Sequence, residues 1–295
     1  MNSYLQFCSI TGLAPFPISA SNATRYIAHL AERLQYTSIT KYLNILRLLC
    51  LECGQPNPLS TWPVVSVLRG VRRVKGDQRN SKLPITPNML LQIRQHLHLH
   101  QPLDCTLWAA YLTAFFTLLR TANLVPPSTA TFDPNKHLCR SDLSLHEGGL
   151  LLNIKWSKTV QYKERSYQLP VPYIPGHPLC PVTALHSLLH MGPTLPPSTP
   201  LFAFPNITGV TILTRHTFTS KLHQHLLCCG FDTAAYSGHS FRRGGASWAF
   251  DSGLPGELVQ VLGDWKSDSY KLYLEMNNTS KMSMITNCVK YLPYN

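Results

Sequence analysis

The hydrophobic pattern of the chain changes from a helical to a strand-like period and back, and these changes limit what it can fold into. As far as about residue 68, apolar residues recur at every third or fourth position, as on one face of a helix. From Asp142 to Val171 they tend to alternate with polar residues, with turn signals at Gly148-Gly149 and at 158–165. Helical patterns then return over 182–190 and 214–229. The sequence predicts a mainly α N-terminal domain and an α+β domain with a small antiparallel sheet of two or three strands.

A basic segment separates the two patterns. Residues 69–84 read RGVRRVKGDQRNSKLP and contain glycines, a closing Leu-Pro and a single acidic residue, which predicts a linker. Such a segment lies free in solvent or runs along a DNA backbone, and both interpretations stay open. We expect a helical domain at 1–75, with a first helix that looks short, then a basic linker at 76–85 and a second domain at 86–295. The basic residues of the segment are Arg69, Arg72, Arg73, Lys75, Arg79 and Lys82.

The charge of the whole chain favours a polyanionic partner. In the 295 residues, Lys and Arg exceed Asp and Glu by 26 − 14 = 12, and basic proteins bind nucleic acids by neutralising phosphates and releasing counterions. The first residues lack a signal-peptide pattern, and no run approaches the roughly 18 apolar residues of a membrane span. Nine cysteines in irregular positions exclude a complete disulfide framework. We therefore expect an intracellular protein that does not act on membranes.

Metal binding is not indicated by the cysteines and histidines. Cys50 and Cys53 form a lone CxxC without a second pair at zinc-finger spacing. We expect no metal and no cofactor. A zinc- or redox-linked interaction protein is the function class that this content would otherwise suggest.

Several basic side chains stand where they could meet an anion. Arg120 follows a very apolar predicted helix, Asp104–Leu119, and must either reach solvent or pair with an anion, because an unpaired buried charge is costly. Lys158, Lys163 and Arg165 fall on a predicted hairpin turn that could reach outward. Each alone is equally consistent with an ordinary surface position.

The stretch from Ser237 to Leu274 carries the densest set of chemically useful residues. His239 and Arg242 share one face of a predicted helix, and Gly238 before them suits a helix N-terminus that accepts an anion. Two glycines, Gly244-Gly245, predict a close approach to the helix by another helix or by DNA. Trp265 follows a Gly-Asp turn, and a further predicted helix carries Tyr270 and Tyr273.

The order of these residues resembles that of the tyrosine recombinase (phage integrase) family. The likeness rests on Leu-Leu-Arg120, Ser-Lys158-Thr, Gly-His239-Ser-Phe-Arg242, Gly-Asp-Trp265 and Tyr273, and it covers nearly the whole chain. It is nearest to recombinases of eukaryotic mobile elements of the DIRS and Crypton type. The resemblance implies that residues 1–75 form a helical, SAM-like core-binding domain on DNA, and that residues 86–295 adopt the tyrosine recombinase catalytic fold.

The resemblance also implies a role for each residue. Arg120 and Arg242 would stabilise the charge of the transition state, as cleavage of DNA without a metal requires. Lys158 would protonate the departing 5′ oxygen, and His239 would assist as base. Trp265 would hold the phosphate through its indole N–H. Tyr273 would attack, leaving a 3′-phosphotyrosine bond. DNA-binding residues would be Arg69, Arg72, Arg73, Lys75, Arg79 and Arg243.

Two assignments have alternatives, and one position departs from the family. Tyr270 competes with Tyr273 as nucleophile, and Lys155 and Lys163 compete with Lys158. Asn123 stands where the family typically carries an acidic residue.

The resemblance predicts a nuclear enzyme, if the host is eukaryotic, that recombines and integrates DNA. It would act on double-stranded DNA as a homo-oligomer, a tetramer on paired sites. The alternative is a domesticated relic that binds DNA with weakened catalysis.

Overall fold

The computed structural model describes residues 2–76, 82–157, 167–207, 209–273, 282 and 286, with residues 272 and 273 described by their backbone only. The chain divides into two compact units, Met1–Ser81 and Lys82–Asn295. Among the described residues no helix is both long and apolar enough to cross a membrane.

Within residues 2–76, the first unit contains four α-helices around a small apolar core. Tyr4, Tyr26 and Phe7 form an aromatic centre, with the rings of Tyr4 and Tyr26 5.2 Å apart. The second helix has Ser19 as its N-cap residue, because the Ser19 hydroxyl accepts the Asn22 N–H at 3.0 Å. The helices are α1 (Asn2–Thr11), α2 (Ala20–Arg33), α3 (Tyr36–Glu52) and α4 (Trp62–Lys75).

The interpretation of residues 69–75 as part of a linker is wrong, because α4 continues through these basic residues to Lys75, the last residue of the domain expected at 1–75. Val64 is fully buried, and Leu68 and Val71 pack against the same core at helical spacing, so apolar contacts hold the helix together beyond Arg69. At the other end of the basic segment, residues 82–85 belong to the second unit. Ile85 is fully buried there, and its N–H donates to Ser240 O at 3.0 Å.

The second unit is built around one helix that is buried on all sides. Every residue of this helix from Cys105 to Phe115 is buried, which explains why its sequence is apolar all round rather than on one stripe. It packs against the later helices α8 and α10. The helices are α5 (Pro87–Gln95), α6 (Pro102–Phe116), α7 (Thr121–Leu124), α8 (Pro181–Leu189), α9 (Arg215–Cys228), α10 (His239–Asp251) and α11 (Gly256–Leu262), with a 3-10 helix at Asp268–Tyr273.

The described residues of this unit also form two small antiparallel sheets. The predicted strands form a three-stranded sheet in the order β1-β2-β3, with Leu152 opposite both Leu143 and Leu169. A separate hairpin, β4-β5, was not predicted. The strands are β1 (Leu143–His146), β2 (Gly149–Ile154), β3 (Tyr167–Pro172), β4 (Ala203–Asn206) and β5 (Gly209–Ile212).

The two glycines inside α10 are explained by packing within the protein. A Cβ on Gly244 would lie 1.8 Å from the carbonyl oxygen of Ile85, and a Cβ on Gly245 would lie 2.0 Å from that of Phe115. Of the two predicted explanations, close approach by protein backbone therefore accounts for both glycines. α10 is thereby seated directly against α6 and the segment that leads into α5.

Candidate active site

Arg242 lies at the centre of the candidate site and is almost completely buried. It is 2% exposed, and one terminal guanidinium nitrogen donates to the carbonyl oxygen of Gly263 at 2.6 Å. The other terminal nitrogen donates to the carbonyl oxygen of Leu118. Because these carbonyls precede Arg120 and Trp265 by two residues each, Arg242 joins the two turns that present those side chains.

Both turns contain a residue with left-handed backbone geometry. Leu118 has φ 53° and Asp264 has φ 50°, a region that non-glycine residues rarely occupy and that costs of the order of 1–3 kcal/mol. The Leu118 carbonyl itself, and the Gly263 carbonyl that adjoins Asp264, are the two acceptors of Arg242. The hydrogen bonds to a buried cation therefore compensate for backbone conformations that the side chains alone would not favour.

Trp265 covers one face of the Arg242 guanidinium. The guanidinium carbon lies 3.8 Å from the ring centroid, and Trp265 is only 7% exposed. A cation–π contact of this kind is worth about 2 kcal/mol when it is desolvated. Gly263 leaves the room for this stacking, since a Cβ there would lie 1.6 Å from the indole ring. In this structure the most evident role of Trp265 is to fix the plane of Arg242.

His239 is the first residue of α10 and has a strongly perturbed pKa. The preceding Gly238 packs closely against Thr121, the neighbour of Arg120, because a Cβ on Gly238 would lie 2.3 Å from the Thr121 hydroxyl oxygen. His239 is exposed, yet neighbouring protein atoms displace part of the water around its ring. This burial, and then the charges of Arg242, Arg120 and Arg243, lower the pKa of His239 to about 4. The imidazole is therefore neutral near pH 7 and able to accept a proton.

The sequence predicts Arg120 directly after the apolar helix, but in the structure it lies four residues beyond the end of that helix. α6 ends at Phe116, the turn with Leu118 follows, and Arg120 is the N-cap residue of α7. It is partly exposed, and its charge is among those that lower the pKa of His239. The left-handed turn thus brings Arg120 toward the N-terminus of α10, where Arg242 and His239 lie.

Asn123 is buried beside this turn. It is 4% exposed, and its side-chain amide donates to the carbonyl oxygen of Trp156 at 2.7 Å. Its backbone N–H donates to the carbonyl oxygen of Arg120 at 2.8 Å. The residue therefore connects the Arg120 turn with the chain that follows β2.

The two candidate tyrosines differ in what the structure describes. Tyr270 is 4% exposed and belongs to a small apolar cluster with Leu118, Ala246 and Val259. A hydroxyl in that position has little access to a DNA phosphate. The backbone of Tyr273 lies one turn further along the same 3-10 helix, and its side chain is outside the described part of the chain.

Of the three candidate lysines, only Lys155 falls within the described residues. Its ammonium group forms a 2.7 Å ion pair with Asp142, whose carboxylate is largely buried and also accepts the Cys139 N–H at 2.7 Å. Lys155 is thus engaged in holding the base of the sheet. The predictions for Lys158 and Lys163 lie outside the described residues, as do those for Arg79 and Arg165.

The residues predicted to contact DNA fall into two groups. Arg69, Arg72 and Arg73 are exposed on the second half of α4, and Lys75 is partly exposed at its end. Arg243, by contrast, is 6% exposed, because α10 is buried on almost all sides from Ser240 to Ser247. Arg243 therefore offers little surface for direct contact with DNA in this structure, and its charge is one of those that lower the pKa of His239.

A further polar surface was missed from the sequence. The first half of α9 lines a depression of about 560 Å³ together with Pro127, and its residues there are Arg215, His216, Thr219, Ser220 and His223. The helical pattern over 214–229 was predicted. Phe218 and Leu222 are buried on one face of α9, so the polar residues on the opposite face were the signal that could have revealed this surface. Basic and hydroxyl side chains of this kind suit contacts with phosphate groups.

Metal ligands are not assembled in the part of the chain that the structure covers. No group of three His, Cys, Asp or Glu side chains there could hold an ion. Cys50 is buried and Cys53 is exposed.

Comparison with known proteins identifies the fold. No family model matches the chain. An integrase/recombinase XerD homolog from Selenomonas ruminantium is 22% identical over 291 residues, which cover 95% of this chain and 80% of that protein. The XerH site-specific recombinase, solved in a post-cleavage complex with a palindromic difH substrate, matches with a TM-score of 0.64 at 14% identity, covering 97% of this chain and 78% of XerH. The Tn1549 transposon integrase, solved with transposon right-end DNA, matches with a TM-score of 0.58 at 13% identity, covering 94% and 88%. The chain therefore has the tyrosine recombinase fold, with many helices and small antiparallel sheets.

Proposed function

We propose that the chain is a tyrosine recombinase that cuts and rejoins DNA at specific sites through a 3′-phosphotyrosine intermediate, without metal or ATP. The observation that carries this proposal is the arrangement around α10. Arg242 is held by two main-chain carbonyls and by Trp265, and a neutral His239 lies within the electrostatic reach of Arg242 and Arg120. These residue types, in this fold, suit the binding and activation of a phosphodiester.

In the cleavage step, the Tyr273 hydroxyl attacks the phosphorus and passes its proton to His239. The bond from phosphorus to the 5′ oxygen breaks, and Lys158 donates a proton to that oxygen. Arg120 and Arg242 balance the additional negative charge on the non-bridging oxygens. The 3′-phosphotyrosine bond keeps the energy of the phosphodiester, so that attack by a 5′ hydroxyl restores a DNA strand.

The buried position of Tyr270 supports Tyr273 as the nucleophile. Tyr270 is 4% exposed and contributes to an apolar cluster, so that its hydroxyl would have to leave this cluster to reach a phosphate. The pairing of Lys155 with Asp142 likewise supports Lys158 or Lys163 as the acid, because Lys155 already holds a buried carboxylate.

DNA contacts of the proposed enzyme come from both units. The second half of α4 presents exposed Arg69, Arg72 and Arg73, and α9 presents exposed Arg215 and His216. If each of these arginines neutralises one phosphate, each Arg→Gln substitution should reduce the slope of log affinity against log salt by roughly 0.9.

The oligomeric form that we propose is a tetramer on paired sites, in the nucleus if the host is eukaryotic. The likeness to a transposon integrase supports a mobile-element origin, and the DIRS and Crypton affinity belongs to the same proposal.

The test begins with a DNA site that the protein itself selects. Binding to a pool of random duplexes, followed by amplification, yields a preferred sequence, which is then made as a nicked half-site that traps the covalent intermediate. We expect a protein–DNA adduct that resists denaturation in the wild type and is absent in Tyr273→Phe. Equal adduct in both proteins contradicts the assignment of Tyr273.

A second candidate function is a DNA-binding relic with weakened catalysis, which the departure from the family pattern at Asn123 favours. The same experiment separates the two functions. A selected site that is bound with salt-dependent affinity but gives no adduct identifies the relic, whereas adduct formation identifies the enzyme.

A further inference from the structure

One side of α3 carries apolar side chains that the first unit leaves uncovered. The opposite side of this helix is buried in the core of the unit. On the uncovered side, Ile45 is 45% exposed and Leu48 is 59% exposed. Neighbouring apolar side chains with polar residues around them mark interaction surfaces, whereas single exposed ones need no explanation. The exposed apolar residues of α3 are Tyr42, Ile45, Leu48 and Leu51.

Opposite charges border the centre of this surface. Lys41 lies four residues before Ile45, and Glu52 lies four residues after Leu48. Because Ile45 and Leu48 are three residues apart, all four side chains lie on one face of the helix, which we call the outer face of α3. Lys41 and Glu52 are both exposed, and no ion pair joins either of them to another of the residues that the structure describes.

The position of Glu52 is not explained within the unit. It is the last residue of α3, where the helix dipole disfavours negative charge, and the last turn of the helix contains no basic residue. A cation that lies against Glu52 from outside would therefore stabilise the helix end. The basic residue of the outer face itself, Lys41, lies three turns away near the other end of the same helix.

A second copy of α3 would supply that cation. The spacing of the outer face, four then three then four residues, is the same in both directions along the helix. If a second α3 packs antiparallel against the first, its Lys41 therefore lies level with Glu52, and its Leu48 lies level with Ile45. The outer face is thus complementary to itself in shape and in charge, as an isologous interface requires.

We propose that the outer face of α3 is an interface between two copies of this chain, which pack these helices antiparallel about a two-fold axis. Ile45 and Leu48 of both copies form the apolar centre, and two pairs of Lys41 with Glu52 of the partner subunit close its ends. The proposal does not depend on the proposed function, because this contact forms in the protein without DNA.

This interface is small. α3 has 17 residues and is therefore about 25 Å long. A single pair of such helices buries less than the roughly 1,200 Å² at which stable complexes begin. Dimerisation should therefore be weak and should depend on protein concentration in the micromolar range.

The test is sedimentation velocity of the full chain without DNA, over a series of micromolar concentrations at low salt. The wild type should shift from monomer to dimer as its concentration rises. Leu48→Ser removes an apolar contact from each copy and should weaken dimerisation by roughly 100-fold. Lys41→Glu places like charges at both ends and should weaken it by roughly 10-fold.

Arg47→Glu is the matched control. It makes the same change of charge at another exposed position of α3, and that position lies at least about 100° round the helix from each residue of the outer face. This variant should dimerise as the wild type does. All the substituted side chains are exposed, so the melting temperatures of the variants at low concentration should stay close to that of the wild type.

Mixing two variants tests the antiparallel arrangement. Lys41→Glu has acidic residues at both ends of the outer face, and Glu52→Lys has basic residues at both ends, so each alone should dimerise weakly. In a mixture, opposite charges meet at both ends, and the two variants should associate at least roughly 10-fold more tightly than either does alone. The double variant Lys41→Glu/Glu52→Lys restores both pairs and should dimerise as the wild type does.

The proposal is overturned if the wild type stays monomeric at every concentration, or if Leu48→Ser and Lys41→Glu leave its dimerisation unchanged. It is also overturned if the mixed charge variants associate no better than each does alone. A monomeric wild type whose melting temperature falls in Leu48→Ser would mean that another part of the same chain covers the outer face, which equally contradicts the proposal. Failure of the proposed function is seen separately, as the absence of a DNA adduct, and leaves the sedimentation result unaffected.

Discussion

The seating of α10 depends on Gly244, and replacement of this glycine by alanine tests that packing quantitatively. Gly70 in α4 provides a matched control, because it is also inside a helix but has no heavy atom within 4 Å of an added Cβ. Alanine at an unobstructed helix position stabilises by roughly 0.5–1 kcal/mol relative to glycine. We therefore expect Gly70→Ala to raise the free energy of unfolding by about that amount.

At Gly244 the same gain is outweighed by a clash. The added Cβ would lie 1.8 Å from the Ile85 carbonyl oxygen, so the two backbones must separate by roughly 1.5 Å to reach ordinary contact. Overpacking of this kind costs about 1–3 kcal/mol, or more where backbone must move. Weakening of the hydrogen bond from Ile85 N–H to Ser240 O, which is 3.0 Å long, adds about 1 kcal/mol. After the gain in helix propensity, Gly244→Ala should destabilise by about 2–3 kcal/mol.

The assay is scanning calorimetry of the purified variants, with the transitions of the two units fitted separately. For a unit of this size, about 1 kcal/mol corresponds to roughly 2–4 °C, so Gly244→Ala should lower its transition by about 4–12 °C. The variant should also cleave the selected site more slowly, because α10 carries His239 and Arg242. A Gly244→Ala protein that melts at or above the wild-type temperature, as Gly70→Ala should, refutes the close approach of α10 to Ile85.

Three further predictions concern single side chains. His239 has a pKa of about 4 in the free protein, so its contribution to stability is present above about pH 6.5 and is lost progressively as the pH falls toward 4. Because a bound phosphate raises that pKa, calorimetry near pH 5.5 should show that the wild type takes up protons when it binds DNA and that His239→Gln does not. Equal proton uptake by both proteins contradicts this prediction. Tyr270→Ala should lower the free energy of unfolding in urea by about 3–5 kcal/mol, whereas Tyr270→Phe should lower it by less than about 1.5 kcal/mol. Equal small losses for the two variants would mean that the Tyr270 ring lies outside the apolar cluster around Leu118. Asp142→Asn removes the ion-pair partner of Lys155 and should lower the free energy of unfolding by about 1–2 kcal/mol. Asp268→Asn, which removes the exposed pair with Lys271, should cause no measurable change. Equal effects of the two substitutions argue against a stabilising ion pair between Asp142 and Lys155.

Sequence patterns were sufficient to predict the strands β1 to β3 and the helices α8 and α9, because each has a clear apolar period, and the continuous apolar run of α6 predicted a buried helix. They failed where backbone contacts outweigh local preference. The β4-β5 hairpin was missed because Pro205 falls inside β4, and proline is unfavourable in most strand positions. The basic residues from Arg69 to Lys75 suggested a linker, although Leu68 and Val71 keep them on a helix.

The candidate site was predictable in its residue types but not in its construction. Arg120, His239, Arg242 and Trp265 were predicted from their order along the chain, and the structure places them near the N-terminus of α10 and on the two turns that Arg242 joins. The acceptors of Arg242 are main-chain carbonyls, which every residue carries, so no sequence pattern reveals them. The left-handed geometry of Leu118 is equally hidden, since leucine rarely adopts it.

The most direct test of the account is the identity of the residue that carries DNA in the trapped complex. The covalent complex on the nicked half-site is digested with protease and nuclease, and the peptide with the remaining nucleotide is sequenced by mass spectrometry. We expect the nucleotide to be linked to Tyr273, and Tyr270→Phe to form the same adduct as the wild type. A nucleotide on Tyr270, or on any other residue, contradicts it.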